Sequence, residues 1–159
     1  MMCTEDVDFT LREAKMEDLD TLLQFEQGIV QYERPFAPNI KEDPVSYYDI
    51  SQLIQREDAQ VIVVVSASGE LIGSGYIKIK SNIPYKKPDL IAYLGFMYVV
   101  PEHRGRGINS VVIERLIQWA KKRDIHEVQL DVYAENVSAL KAYEKVGFKP
   151  DLLSMRLCP

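Results

Sequence analysis

The residues of this chain with the clearest chemical potential form a turn rich in glycine and arginine, Arg104-Gly105-Arg106-Gly107. The turn follows an apolar run that is cut by Pro101, and it leads into a helical pattern that starts at Ile108. The first amides of a helix have no partner inside the helix, and the helix dipole makes that end positive. Two arginines add full charges. The turn therefore predicts a site for a phosphorylated ligand.

A second segment places a small residue and a phenol on one helical face. Asn136 is a typical helix N-cap, and Gly147 is suited to the end of the same helix. Between them, Ala139 and Tyr143 are four residues apart and share a face. This spacing predicts the wall of a slot, with an O–H group at its end.

Two nucleotide signatures fail at the glycine turn. A P-loop requires a Lys-Ser or Lys-Thr pair directly after its last glycine, and Gly107 is followed by Ile108 and Asn109. A dinucleotide fingerprint requires a third glycine, and Ser110 stands at that position. The ligand is therefore expected to be phosphorylated but not held by either motif.

Taken together, Met97–Asn109 and Asn136–Phe148 resemble the GCN5-related N-acetyltransferase (GNAT) superfamily of acetyl-coenzyme-A-dependent enzymes. The turn of that family has Arg or Gln, two residues, Gly, one residue, and then Gly or Ala. Arg104 and Gly107 match this pattern, whereas Asn109 departs from it. The resemblance also covers the order of elements over almost the whole chain.

The resemblance implies acetyl-CoA as cosubstrate. The pyrophosphate would take the amides of the turn, and the pantetheine arm would pair with the free edge of the preceding strand between that strand and the Asn136 helix. Tyr143 would also approach the thioester and protonate the departing thiolate. The other residues implied to bind the cosubstrate are Tyr98, Val99, Arg104, Gly105, Arg106, Gly107, Ile108, Asn109, Asn136 and Ala139.

The amine must lose a proton before it attacks the thioester. Many relatives carry a carboxylate on the strand before the turn, but Ala92–Met97 has none. We take Glu33, in the loop after the first helix, as the candidate base, with Tyr143 as the acid. Asp131, Tyr93 or Tyr98 through water, or no dedicated base remain open alternatives. Because neither cysteine falls at the site, we expect direct transfer in a ternary complex, with a backbone amide near Val99 stabilising the oxyanion.

Periodicity gives the order β-α-α-β-β-β-α-β-α-β, which predicts an α/β fold of the α+β type. The sheet is expected to be mixed, mostly antiparallel and flanked by helices. The pattern ends the first helix at Gly28 and starts the second at Asp43 and Pro44. It also predicts a final strand over Leu152–Leu157, and a bulge or close backbone approach in the strand that carries Gly73 and Gly75.

Length, composition and charge limit the class of protein and its location in the cell. The chain has 159 residues, of which 47% are hydrophobic, so residues 1–159 suit one domain with a real core. A net charge of −5 argues against nucleic-acid binding. The sequence offers no membrane-length apolar run, no basic-then-apolar leader, and no metal-ligand spacing around Cys3 and Cys158. These features predict a cytoplasmic protein without a metal or a membrane partner.

We therefore predict an acetyl-CoA-dependent N-acetyltransferase that acts on a primary amine. Tyr32, Phe36 and Tyr85 suit an aromatic wall, and Arg34 suits a substrate carboxylate, which favours a small acceptor such as an amino acid or a polyamine-like amine. The alternatives are a protein N-terminus or lysine as acceptor, and a non-catalytic CoA-binding module. A homodimer is left open.

Overall fold

The order of elements follows the predicted pattern as far as the last helix. The structure, a computed structural model, describes residues 8–159. Short 3-10 turns precede and follow the first helix, and another precedes the glycine turn. The elements are β1 (Phe9–Glu13), α1 (Leu19–Glu33), α2 (Ile50–Gln55), β2 (Ala59–Ser66), β3 (Leu71–Ser81), β4 (Leu90–Val99), α3 (Ile108–Lys121), β5 (Val128–Gln129) and α4 (Val137–Val146).

The strands form one five-stranded sheet in the order β1-β2-β3-β4-β5. Neighbours from β1 to β4 are antiparallel. Hairpin connections join β2 to β3 and β3 to β4, whereas α1 and α2 lie between β1 and β2. β5 lies parallel to β4, since α3 carries the chain back across the sheet. The predicted fold class, a mostly antiparallel mixed sheet flanked by helices, is confirmed.

Apolar side chains cover both faces of the sheet. Along β2, Ile62 and Val64 face the core formed with α3, while Val61 and Val63 face the core formed with α1 and α2. All four are almost fully buried. This two-sided burial explains the continuous β-branched run of β2.

The predicted irregularity at the glycines of β3 is a close approach opposite a bulge in β4. The register shifts between Ser74 and Tyr76, where β4 supplies one extra residue. Phe96 adopts a left-handed conformation there, with φ +57°. The buried hydroxyl of Ser74 donates to the Phe96 carbonyl at 3.0 Å. A Cβ on Gly75 would lie 2.8 Å from both the Met97 sulfur and Val112 Cγ1, so a side chain here would disturb the packing of α3 on the sheet.

The prediction that α1 ends at Gly28 is wrong, because this residue lies well inside the helix. The glycine is there for packing rather than for termination. A Cβ at Gly28 would lie 2.8 Å from the ring of Tyr98 on β4. The missing side chain lets this ring settle against the helix, where it also contacts Phe25 with ring centroids 4.9 Å apart.

The predicted start of the second helix is also wrong. α2 begins at Ile50, and its N-cap is Asp49, whose carboxylate accepts from the Gln52 amide at 3.2 Å. Asp43 instead accepts from Arg34 at 2.7 Å and from Gln31. A capping residue followed by proline is only a local signal, and here a salt bridge from α1 uses the carboxylate.

The predicted final strand over Leu152–Leu157 is absent from the described chain, where this segment is irregular and pairs with no strand. Leu152, Met155 and Leu157 are 82 to 85% exposed. β5 is also shorter than its alternating pattern suggested, because its ladder ends at Gln129. Of the two cysteines, Cys158 is exposed, and Cys3 lies outside the described residues.

Candidate active site

The glycine turn offers a row of free amides at the start of α3. Gly105 and Gly107 have φ angles of +80° and +75°, and a Cβ on either would meet open space, so conformation alone requires these glycines. Within residues 8–159, no amide from Gly105 to Ser110 donates to a protein acceptor. Ile108 is buried and anchors the helix, while Arg106 and Asn109 are exposed. The turn can therefore bind an anion through its backbone.

Arg104 is tied to the strand that precedes the turn. Its Nε donates to the Val99 carbonyl at 2.9 Å. Its guanidinium carbon also lies 5.7 Å from the centre of the Tyr98 ring and 5.9 Å from that of Tyr32. Arg104 thus connects the turn, the end of β4 and α1, and Arg106 is the arginine of the turn that extends from the surface.

The end of β4 has a free edge. Val99 is aligned with Gly73, and the next amide, that of Val100, donates to Ile72. In an antiparallel ladder this arrangement turns the N–H and C=O of Val99 away from β3. β5 pairs with β4 only at Ala92 and Tyr93. Among the described strands, the later part of β4 therefore has no neighbour on this side, which leaves the free edge that the resemblance implies.

α4 presents the predicted small residue and phenol. Asn136 is buried and caps the helix by accepting from the Ala139 amide at 3.3 Å. One turn further on, Tyr143 is half-buried against Phe148, with ring centroids 5.9 Å apart. Burial, reinforced by the negative charge of Glu33, raises the pKa of Tyr143 to about 12. Tyr143 is thus protonated near neutral pH and can donate.

Glu33, at the C-terminal end of α1, is half-buried among tyrosines. Burial raises the pKa of its carboxyl group, and the neighbouring Tyr47 hydroxyl partly offsets this effect. The charge of Glu33 in turn contributes to the raised pKa values of Tyr133 and Tyr143, after burial as the larger cause. The charge of Glu33 therefore acts on Tyr143, although 110 positions separate the two residues in the chain.

Sequence reasoning did not single out Tyr47 as a neighbour of the candidate site. Its hydroxyl is buried and has no hydrogen-bond partner among residues 8–159, although it lies beside Glu33. The segment is held by Glu26, a fully buried carboxylate of α1 that accepts from the amides of Tyr47 at 3.0 Å and Tyr48 at 2.8 Å. The adjacent pair of tyrosines was the only signal in the sequence.

The other candidate bases have defined partners. Tyr93 donates to Asp131 at 2.9 Å, across the divergence of β4 and β5. Burial and this carboxylate raise the pKa of Tyr93. Tyr98 packs between α1 and Arg104, as described above. Of these carboxylates, Glu33 is the one whose charge contributes to the raised pKa of Tyr143.

The predicted acceptor wall is only partly assembled. Tyr32 and Phe36 pack edge to face with ring centroids 5.9 Å apart, and the Tyr32 hydroxyl lies 3.2 Å from that of Ser138 on α4. Tyr85 is 83% exposed in the loop before β4. Arg34 is engaged by Asp43 and by the Lys41 carbonyl, so its predicted contact with a substrate carboxylate would require it to leave these partners.

Two surface cavities lie away from the glycine turn. One, of about 480 Å³, includes Tyr47 and Tyr48 in its lining, and it opens beside α1 and α2. The other, of about 660 Å³, lies near Trp119 and Arg123. In the described chain no helix is long and apolar enough to cross a bilayer, and no three metal-ligating side chains gather.

Comparison with known proteins agrees with this arrangement. A family model described as the acetyltransferase (GNAT) family matches residues 26–148, and the chain belongs to that family. An uncharacterised N-acetyltransferase of Methanocaldococcus jannaschii is 27% identical over 143 residues, which cover 89% of this chain and 61% of the relative. The chain thus spans about three fifths of that protein.

Two further proteins are informative. A protein of Saccharolobus solfataricus named N-alpha-acetyltransferase is 26% identical over 148 residues, with 89% of this chain and 81% of the relative covered. The crystal structure of a predicted acetyltransferase with acetyl-CoA from Clostridium acetobutylicum has a TM-score of 0.70 and 22% identity. It covers 94% of this chain and 96% of that one, and at this identity the likeness shows the fold.

Proposed function

We propose that this chain transfers the acetyl group of acetyl-CoA directly to the primary amine of a small molecule, within a ternary complex. The observation that carries the proposal is that the charge of Glu33 acts on the Tyr143 hydroxyl, in a chain whose glycine turn has free amides at the start of α3. One of these groups is a carboxylate whose pKa is raised, and the other is a phenol that stays protonated. They are the base and the acid that the reaction needs.

The residues of the glycine turn fit the cosubstrate. The free amides from Gly105 to Ser110, with Arg106, would hold the pyrophosphate, and the free edge of β4 would pair with the pantetheine arm. Asn136 and Ala139 would flank that arm from α4. Once bound, acetyl-CoA supplies an activated thioester.

The residues then have distinct tasks in the transfer. Glu33 accepts the proton of the ammonium group, so that the nitrogen lone pair can attack the thioester carbonyl. The amide of Val99 donates to the oxyanion that forms. Tyr143 gives its proton to the departing thiolate. A raised pKa makes Glu33 a stronger base, because its proton affinity moves closer to that of the amine.

A second candidate acceptor is the N-terminus of a protein. It is supported by the name of the Saccharolobus relative, N-alpha-acetyltransferase. A chain that binds acetyl-CoA without catalysis is the alternative from another class. The release of free thiol from acetyl-CoA distinguishes these three functions. Release with small amines supports a small-molecule acceptor, release with short peptides supports a protein N-terminus, and no release with either supports binding without catalysis.

The decisive variants are Tyr143→Phe and Gly107→Glu. We expect Tyr143→Phe to lower kcat about 100-fold while the Kd for acetyl-CoA is unchanged, because only the proton donor is lost. Gly107→Glu should abolish acetyl-CoA binding, since it places a bulky negative side chain where φ is +75°. Tyr85→Phe, in an exposed loop, is the matched control. Full turnover by Tyr143→Phe would exclude the proposed acid.

A further inference from the structure

Two lysines of β3 hold their ammonium groups over the same tyrosine ring. Lys78 is aligned with Tyr93 of β4, so the two are direct cross-strand neighbours. Lys80 stands two residues further along β3, and its side chain therefore extends from the same face of the sheet. The Nζ atoms of Lys78 and Lys80 lie 5.8 and 4.8 Å from the centre of the Tyr93 ring. The strand pairing thus brings two positive charges close together.

The described chain supplies these charges with no acidic partner. Within residues 8–159, neither ammonium group forms a salt bridge or a side-chain hydrogen bond. Asp131 instead accepts from the Tyr93 hydroxyl at 2.9 Å. Burial lowers the pKa of Lys78, and the charges of Arg56 and Lys80, which are both positive, lower it further. An anion placed between the two lysines would relieve this repulsion and gain charge-assisted hydrogen bonds.

The lysine pair lies on the side of the sheet that carries the candidate base. The Nζ atom of Lys78 is also 5.8 Å from the centre of the Tyr76 ring. Tyr76 packs against Tyr48 with ring centroids 5.5 Å apart, and Tyr48 packs against Tyr47 at 5.7 Å. Tyr47 in turn lies beside Glu33. A row of three tyrosine rings therefore connects Glu33 with Lys78, along the face covered by α1 and α2.

We infer that Lys78 and Lys80 bind an anionic group, a carboxylate or a phosphate, on the acceptor whose amine is deprotonated by Glu33. This inference rests on the proposed function, and it narrows the acceptor to a small amine that also carries negative charge. Arg34 was predicted to hold such a group, but it is engaged by Asp43. Because three rings separate Glu33 from Lys78, the amine and the anionic group would stand on different carbon atoms of the acceptor.

Thiol release with matched amines tests the inference. We expect 4-aminobutyrate or aminoethyl phosphate to have a KM about tenfold below that of butylamine, which lacks the anionic group. The better of the two anionic amines identifies the group that is bound. The double variant Lys78→Gln/Lys80→Gln should lose this preference through KM, with kcat unchanged, because only binding is removed. An equal KM for butylamine and both anionic amines would overturn the inference.

Two further variants guard against indirect effects. Lys86→Gln/Lys87→Gln removes the same charge from an exposed loop and should leave the preference intact. An equal loss in this control would show that net charge is responsible, and would contradict a site at β3. Lys80→Gln changes an exposed residue only, so the fold should be kept while part of the preference is lost. Full preference in Lys80→Gln would remove Lys80 from the site.

Calorimetry separates this inference from the proposed function. The two anionic amines are titrated into the full chain with CoA bound, and the Kd is expected to rise about tenfold in Lys78→Gln/Lys80→Gln. If no amine releases thiol but this rise is seen, the proposed transfer is wrong and the lysine site stands. If the parent and the double variant bind both amines equally, the lysine site is wrong, whatever the turnover.

Discussion

Glu33 sets the pH at which the proposed reaction can run. Burial raises its pKa above the ordinary value of 4.5, so the carboxylate needed as base is formed only above that value. We expect kcat/KM to rise with pH through the raised pKa of Glu33. In Glu33→Gln this acidic limb should disappear and the rate should fall about 100-fold, as measured by thiol release across pH 4 to 9.

Stability provides the control for this residue. Because the folded state raises the pKa of Glu33, the unfolded chain loses this proton first, and stability falls as the pH rises from the ordinary pKa to the raised one. Glu33→Gln should therefore unfold at higher denaturant than the parent at pH 8, with a smaller difference at pH 4. An unchanged pH profile together with a stability gain would mean that Glu33 is buried but not catalytic.

Gly28 is a second single residue with a measurable effect. Gly28→Ala should improve helix propensity, yet the added Cβ would lie 2.8 Å from the Tyr98 ring. We expect a net loss of about 1–3 kcal/mol in the free energy of unfolding, from overpacking. In a Tyr98→Leu background the same change should be neutral or stabilising, and equal losses in both backgrounds would exclude the ring contact.

The sequence predicted individual site residues unevenly. The sequence predicted Tyr143 on a helix capped by Asn136, and α4 contains that arrangement, while its role as the acid remains a proposal. Glu33 was found only as a candidate, because its environment is built by Tyr47 and Tyr133, which are distant in the chain. The spacing of residues along the chain does not indicate contacts of this kind, so the position of the Tyr47 hydroxyl beside Glu33 could not be predicted.

At the level of elements, capping residues in the connection between α1 and α2 led to a wrong prediction of where α2 begins. Asp43 and Asp49 are both capping residues by type, but only Asp49 has its carboxylate on an amide of α2. Asp49→Ala should cost about 0.5–2 kcal/mol in the free energy of unfolding. Asp43→Ala, which loses an exposed salt bridge, should cost less in urea titrations. A larger loss for Asp43→Ala than for Asp49→Ala would instead support the predicted start of the second helix at Asp43 and Pro44.

The divergence of β4 and β5 was predictable in kind but not in extent. The resemblance to the GNAT superfamily implied a free edge at the end of this strand, and Pro101 just beyond it is consistent with a strand that leaves the sheet. The pairing of β5 through only Val128 and Gln129 depends on tertiary geometry, as does the bulge at Phe96. The alternating pattern at Leu130 and Val132 continues beyond the ladder.

At the level of the whole molecule, the order of elements and the two-sided core could be predicted, because strand and helix periods differ clearly in this chain. The segment after Gly147 could not, since an alternating apolar pattern predicts a strand but not the edge it joins. That residues 1–159 form one domain remains a proposal. The Methanocaldococcus relative is longer than the region that matches this chain, so its length does not bear on this proposal.

The buried carboxylate of Glu26 has a consequence for motion. It holds the backbone of Tyr47 and Tyr48, and it lies seven residues, or about two turns, before Glu33 on the same helix. Because Glu26 ties the Tyr47 segment to α1, any movement of α1 relative to the sheet would move Glu33 and Tyr47 together. The surroundings that raise the pKa of Glu33 would thus stay the same when α1 moves.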